Sequence, residues 1–132
     1  MSFKSRRSTL NFTMGVFRTH IRVAGLQDRA QTREIELLVD TGATLTKLPE
    51  DLLGDLQIAP QFSLPALTSD NREVMRRIGL AWVSINGRSG AVPVAFGNRG
   101  ELVLLGATTL EILGLMVDPV EQKLIPRPLL EK

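Results

Sequence analysis

No cysteine occurs among the 132 residues of the chain. A disulfide framework, thiolate metal ligation and a cysteine nucleophile are therefore excluded together. Histidine occurs once, as His20, so a histidine-rich metal centre is excluded and one imidazole base remains. The aromatics are five Phe, one Trp and no Tyr, too few for a platform on which single-stranded nucleic acid would stack. No apolar run reaches the roughly 18 residues that a membrane span needs. The basic start "MSFKSRR" is followed by no apolar stretch, so no signal peptide is expected. The formal charge is only +2, with Lys and Arg scattered apart from "KSRR" at 4–7 and "MRRI" at 75–78. Together these absences predict a cytoplasmic protein with no metal, no cofactor, and neither a nucleic-acid nor a membrane partner.

What is present is enough for one domain with one core. Residues 1–14 read as a flexible N-terminal arm and 15–132 as a single domain. "GVFRTHIRV" (15–23) alternates apolar and charged residues as a half-buried strand does. After the turn in "AGLQDRAQT", "REIELLVD" (33–40) is a second strand, apolar towards its end, which makes a hairpin with the first. "TLTKL" (44–48) continues extended. "PEDLLGDL" (49–56) opens like a short helix, with Pro at a first-turn position and two acids after it. "FSLPALTSDNREVMRR" (62–77) places two extended arms around Ser69, Asp70 and Asn71, which are turn residues. "IGLAWVSING" and "SGAVPVAFGN" flank Asn86-Gly87, the strongest hairpin signal in the chain. "ELVLLG" (101–106) is a buried-strand run. "ATTLEILGL" (107–115) reads as a short amphipathic helix capped by Thr108 or Thr109. "MVDPVEQKLIP" closes as two short strands around Asp118-Pro119. The reading is all-β with one or two short helices.

The stretch "IELLVDTGATLTKLP" (35–49) carries the chemistry. An aspartate at the end of a buried strand is costly unless something holds its charge or its proton. Asp40 is either a turn residue bonded to its own backbone two residues on or a reactive group in a dry site. A bare Asp-Thr-Gly arises by chance in roughly a few per cent of chains this long. Here it is joined to a second unit: "LLVDTGA" (37–43) and "LVLLGATTL" (102–110) together resemble the retropepsin-like branch of the aspartic peptidases. The resemblance covers roughly residues 15–125.

That resemblance implies a small closed acid-protease barrel with a flap hairpin. It makes Asp40 the catalytic residue, with Thr41, Gly42 and Ala43 supporting its loop. Thr41 would brace the loop against its symmetry mate, Gly42 would let an amide approach the carboxylate, and Ala43 would keep the floor small. Ser69, Asp70 and Asn71 fall at the flap tip, where they would touch substrate. The tip has no glycine, but asparagine tolerates left-handed backbone. Leu104-Leu105-Gly106 would lie beside the Asp loop as a core element and a marker of the fold.

Metal-free peptide hydrolysis needs a base for the attacking water and an acid for the carbonyl oxygen. Two carboxyls a few Å apart supply both, because they cannot easily both ionise; such split titration belongs to the family. The sequence has one Asp-Thr-Gly, and Asp28, Asp51, Asp55, Asp70 and Asp118 offer no second copy. The expected enzyme is thus an aspartic endopeptidase acting on an extended peptide, a homodimer with Asp40 of each subunit at a twofold axis, the chain ends pairing between subunits. The rival, from another class, is a non-catalytic peptide-binding or dimerisation module with the same fold. His20 reads as a solvated face residue, Trp82 and the Phe residues as core, and "KSRR" as a solvated tail.

Overall fold

Residues 17–131 are described by a computed structural model of the chain. The N-terminal arm expected at 1–14 lies outside them. The elements in order are β1 (Phe17–Gly25), β2 (Asp28–Val39), β3 (Thr46–Pro49), α1 (Glu50–Asp55), β4 (Phe62–Leu67), β5 (Glu73–Ile85), β6 (Arg88–Gly97), β7 (Leu104–Leu105), α2 (Ala107–Ile112), β8 (Leu115–Asp118) and β9 (Lys123–Pro126).

Alternation drives the first hairpin. In β1 the side chains of Ile21 and Val23 are buried while Arg18, His20 and Arg22 face water. β1 pairs antiparallel with β2 from Phe17↔Val39 to Ala24↔Thr32 and again at Gly25↔Asp28, which leaves a bulge at the turn end of β2. From that bulge the Arg29 guanidinium reaches over the Trp82 ring, 3.8 Å from its centroid. Trp82 is therefore half-buried on the outside of the sheet, not in the core, because its neighbours Ala81 and Val83 take the inward register. Among the Phe residues, Phe96 is buried and Phe17 packs against the core. Phe62 is 52% exposed, since β4 is an outer strand.

The main sheet has the order β1-β2-β7-β3-β6-β5-β4, and β5 also pairs with β1 at Arg22–Ala24 against Trp82–Ser84. The sheet thus closes into a small barrel, leaving β4 outside the ring as one arm of a projecting β4–β5 hairpin. Val39, Leu48, Val83, Val94 and Leu105 fill the interior at 0% exposure. Each such side chain stabilises the fold by about 1.5–3 kcal/mol. At Asn86-Gly87 the backbone takes φ values of 51° and 82°, the left-handed pair that a two-residue hairpin requires. β8 and β9 form a separate two-stranded sheet.

Both helices are short. Pro49 sits just before α1 as its N-cap residue. α2 ends at Ile112, earlier than the apolar spacing to Leu115 predicts. Gly114 takes φ 68°, and the Arg88 guanidinium donates to the carbonyls of Leu113 (3.2 Å) and Gly114 (3.0 Å), so the chain leaves the helix there. No helix of the described residues is long and apolar enough to cross a membrane.

Candidate active site

Leu37 and Val39 anchor the end of β2 in the core, and Leu38 and Val39 pair in parallel with Leu104 and Leu105 of β7. The ladder runs one residue beyond the strand. Leu38 N–H donates to the Val103 carbonyl (3.1 Å), and Asp40 N–H donates to the Leu105 carbonyl (3.0 Å). Asp40 is thereby fixed at its backbone before the chain turns. The turn then closes on Asp40 itself: Ala43 N–H donates to its carbonyl (3.1 Å), and Gly42 N–H to its Oδ1 (2.9 Å). A Cβ on Gly42 would lie 3.2 Å from that same oxygen, so glycine permits the approach. The Asp-to-own-backbone bond of an ordinary turn is present, and it leaves Oδ2 without a hydrogen bond from any described residue.

The other wall of the loop is the start of α2. Ala107 N–H donates to the Ala43 carbonyl (2.8 Å) and Thr108 N–H to the Thr44 carbonyl (3.0 Å), so the first unpaired amides of the helix grip the Asp loop. Behind them, the hydroxyls of Thr46 and Thr109 meet at 2.6 Å, both at 0% exposure. Thr46 Oγ1 also accepts from Gly106 N–H at 3.1 Å. Any Cβ at Gly106 would lie 2.5 Å from the Leu45 carbonyl carbon and 2.6 Å from its oxygen. Close contact, not an unusual φ, is what demands glycine there.

Of the residues singled out from the sequence, Asp40, Thr41, Gly42 and Ala43 form one turn, with Thr41 and Gly42 exposed and Asp40 and Ala43 half-buried. Ser69, Asp70 and Asn71 lie exposed at the tip of the β4–β5 hairpin and make no hydrogen bond to that turn. The tip closes on itself. Thr68 N–H donates to the Arg72 carbonyl (2.8 Å), Asn71 N–H to the Thr68 carbonyl (2.9 Å), and Arg72 Nε to Asp70 Oδ2 (2.8 Å). The Thr68 hydroxyl, and after it Arg72, hold the Asp70 carboxyl below the usual carboxylate range. The tip is thus a neutralised pair, not a bare acid. Asn71 takes φ 66°.

Three features of the site have no signal in the sequence. Thr109 reads there as a helix cap, whereas α2 starts from Gly106 with no side-chain cap and Thr109 points inward. Thr46 lies in a short extended run that looks like any strand. Arg76 of β5 binds Glu101 of the β6–β7 loop through two hydrogen bonds, 2.7 and 2.6 Å. That pair also explains why only Leu104 and Leu105 of the run 101–106 are strand: Glu101 is held in a turn by Asn98 N–H (2.7 Å). His20 is exposed, with Nε2 3.9 Å from Glu36. Among the described residues no group of three or more His, Asp or Glu is placed to hold a metal ion.

The family model described as "Aspartyl protease" matches residues 20–116 of the chain. Among solved structures, the fold is similar to that of EIAV protease complexed with the inhibitor HBY-793, with a TM-score of 0.53 and 17% identity over 80% of this chain and 94% of that one. The solution structure of Simian Foamy Virus (mac) protease aligns with a TM-score of 0.49 and 19% identity over 72% of this chain and 94% of that one. No curated protein sequence matches the chain.

Proposed function

Because the chain belongs to the aspartyl protease family, we propose that it is an aspartic endopeptidase whose active site is shared by two copies of the chain, each contributing Asp40. The observation that carries this reading is the mounting of Asp40. Its N–H is fixed to Leu105, Oδ1 is turned by the Gly42 amide, and Oδ2 is left for chemistry.

One carboxyl acts as base or as acid, not both at once. With one Asp-Thr-Gly per chain, a second copy must bring the partner carboxyl. The two would share one proton. The ionised one takes a proton from water as its oxygen attacks the scissile carbonyl carbon, and the protonated one gives its proton to the carbonyl oxygen. On collapse of the tetrahedral intermediate the C–N bond breaks, one of its hydroxyls returns a proton to the ionised carboxyl, and the other carboxyl gives its proton to the leaving nitrogen, which restores the one-proton pair. Thr41, exposed beside Asp40, faces outward where a second copy would brace it. Gly42 and Ala43 keep the turn tight. The β4–β5 hairpin is the flap, with Ser69, Asp70 and Asn71 over an extended peptide bound main chain to main chain. Met116 and Val120, 41% and 84% exposed at the β8–β9 end, support pairing of the chain ends between subunits.

The test is digestion of a proteome-derived peptide mixture from acid to neutral pH by the wild type and by Asp40→Asn, read by mass spectrometry, with mass in solution measured in parallel. Internal cuts by a dimeric wild type that vanish in a folded Asp40→Asn are the expected result. A dimer that cuts nothing at any pH, or cuts that survive the substitution, overturns the assignment. A peptide complex unaffected by Asp40→Asn would point instead to a binding module on the same fold.

A further inference from the structure

Arg76 is the one buried charged residue among those described, at 9% exposure. It lies where β5 leaves the barrel. On one side of it, Ile78 is buried and Gly79 is pressed against the loop before β4, where an added Cβ would lie 2.8 Å from the Ala59 carbonyl oxygen. On the other side the β4–β5 hairpin projects, and nearly every residue of β4 is exposed. The level of Arg76 is therefore where hairpin movement would begin.

Glu101, the partner of Arg76, is covalently close to the Asp40 mounting. Val103 receives the Leu38 amide and Leu105 receives the Asp40 amide. The carboxylate is also held from its own loop by Asn98 N–H, and Glu101 N–H returns to the Asn98 carbonyl (3.1 Å). Segment 101–105 is thus tied to the hairpin at one end and to Asp40 at the other. The next residue on the strand, Arg77, points to the opposite face and meets Glu50 of α1 at 2.7 Å, with both side chains more than a third exposed. Exposed pairs of that kind hold little, whereas the Arg76–Glu101 pair is bidentate with its guanidinium buried and its carboxylate half-buried, so removing Glu101 leaves the Arg76 charge uncompensated.

We propose that Arg76 and Glu101 are positioning residues that set the β4–β5 hairpin against the Asp40 loop, the hairpin's root being latched to the strand that carries the Asp40 backbone. The inference rests on the reading of Asp40 as catalytic and of the hairpin as a flap. The charges suit the role. Arg76 first, then the Asn98 amide and the charge of Lys47 in β3, hold the Glu101 carboxyl down at about 2 against the opposing effect of burial. The latch therefore stays ionised in the acid range in which a proton-sharing carboxyl pair works.

Hydrogen exchange and peptide hydrolysis on the full chain test it, with Glu101→Gln, Arg76→Lys and the control Glu50→Gln. Glu101→Gln is expected to speed exchange of the amides at 62–75 at least about tenfold while the β1–β2 ladder keeps its protection. KM should rise about tenfold in parallel, as the hairpin ceases to hold substrate. Arg76→Lys should fall between Glu101→Gln and the wild type, and Glu50→Gln within about twofold of the wild type. Equal deprotection of the β1–β2 ladder, or equal effects of Glu50→Gln and Glu101→Gln, would reduce the pair to general fold stabilisation and overturn the proposal. If Glu101→Gln does not fold, Arg76→Lys decides by the same contrast between hairpin and ladder. If the wild type cuts no peptide, the peptidase reading falls, while exchange still decides the latch.

Discussion

The turn at Asp40 and the turn at Ser69–Asn71 are both tight and both carry an aspartate with a side-chain hydrogen bond, yet they are held by different partners. At Asp40 the Gly42 and Ala43 amides close the turn locally, but the Asp40 amide is also bonded to Leu105, and the loop carbonyls of Ala43 and Thr44 are gripped by Ala107 and Thr108, more than sixty positions along the chain. At the hairpin tip every bond stays between Thr68 and Arg72. A turn built from distant segments is only as good as the barrel that aligns them, but once aligned it has little freedom. A turn built from its own residues survives local disorder and leaves the hairpin free to move as a unit. That division suits the proposed peptidase, which would need one fixed carboxylate and one movable cover.

The contrast breaks most severely at Gly106. Gly106→Ala puts a methyl group 2.5 Å from the Leu45 carbonyl carbon, against backbone that cannot step aside without moving the Asp40 loop. We expect a loss of about 3 kcal/mol or more in urea denaturation, with loss of any Asp40-dependent activity. An alanine variant as stable as the wild type would mean that the two segments are not packed as described. Next comes the threonine pair. Thr46→Val removes the acceptor of Gly106 N–H and the partner of Thr109 together, and should cost about 2–3 kcal/mol. Thr109→Val leaves the Gly106 bond in place and should cost about 1–2 kcal/mol. A reversed order in chemical denaturation would show that the Thr46–Gly106 bond is not what closes the loop.

The same division explains what could be read from the sequence. Features that depend on neighbours in sequence were legible: the alternation of β1, the Asn86-Gly87 turn, and the tip at Ser69–Asn71 with a left-handed asparagine. The barrel was legible through resemblance, because "LLVDTGA" and "LVLLGATTL" stand together in that family, whereas nothing local says that Leu104 and Leu105 pair with β2. The buried Thr46–Thr109 contact and the Arg76–Glu101 pair join residues 63 and 25 positions apart. An arginine in "MRRI" looks solvated, since burial of Arg76 depends on a carboxylate contributed by a distant loop. Trp82 misled for a related reason: its outward register is set by Ala81 and Val83, and its ring is covered by Arg29 from the bulge.

Acid sharpens the contrast next. The Arg76 guanidinium holds the Glu101 carboxyl down at about 2 in the fold, against an ordinary value of 4.5. A depressed carboxyl contributes its full stability above the unfolded value, and that contribution is lost as pH falls from about 4.5 through about 2. Glu101→Gln should thus be less stable than the wild type by about 1–2 kcal/mol at neutral pH, the gap closing below about pH 2. Denaturation curves at neutral, mildly acid and strongly acid pH would show it. A gap independent of pH would mean that shape, not charge, joins hairpin to barrel.

The smallest effect is expected at the tip, and it asks whether the tip is as self-contained as its bonds imply. Asn71 holds φ 66°, a conformation that asparagine tolerates, glycine accepts freely, and alanine resists by about 1 kcal/mol. Asn71→Gly should therefore stay within about 0.5 kcal/mol of the wild type in thermal denaturation, and Asn71→Ala should lose about 1 kcal/mol. Neither should alter exchange at the Asp40 loop, because no described hydrogen bond runs from the tip to it. If Asn71→Ala did deprotect the amides of Asp40 and Ala43, the tip would be in energetic contact with the Asp40 loop by a route other than the hairpin's root, and its bonds would not be as self-contained as those between Thr68 and Arg72 imply.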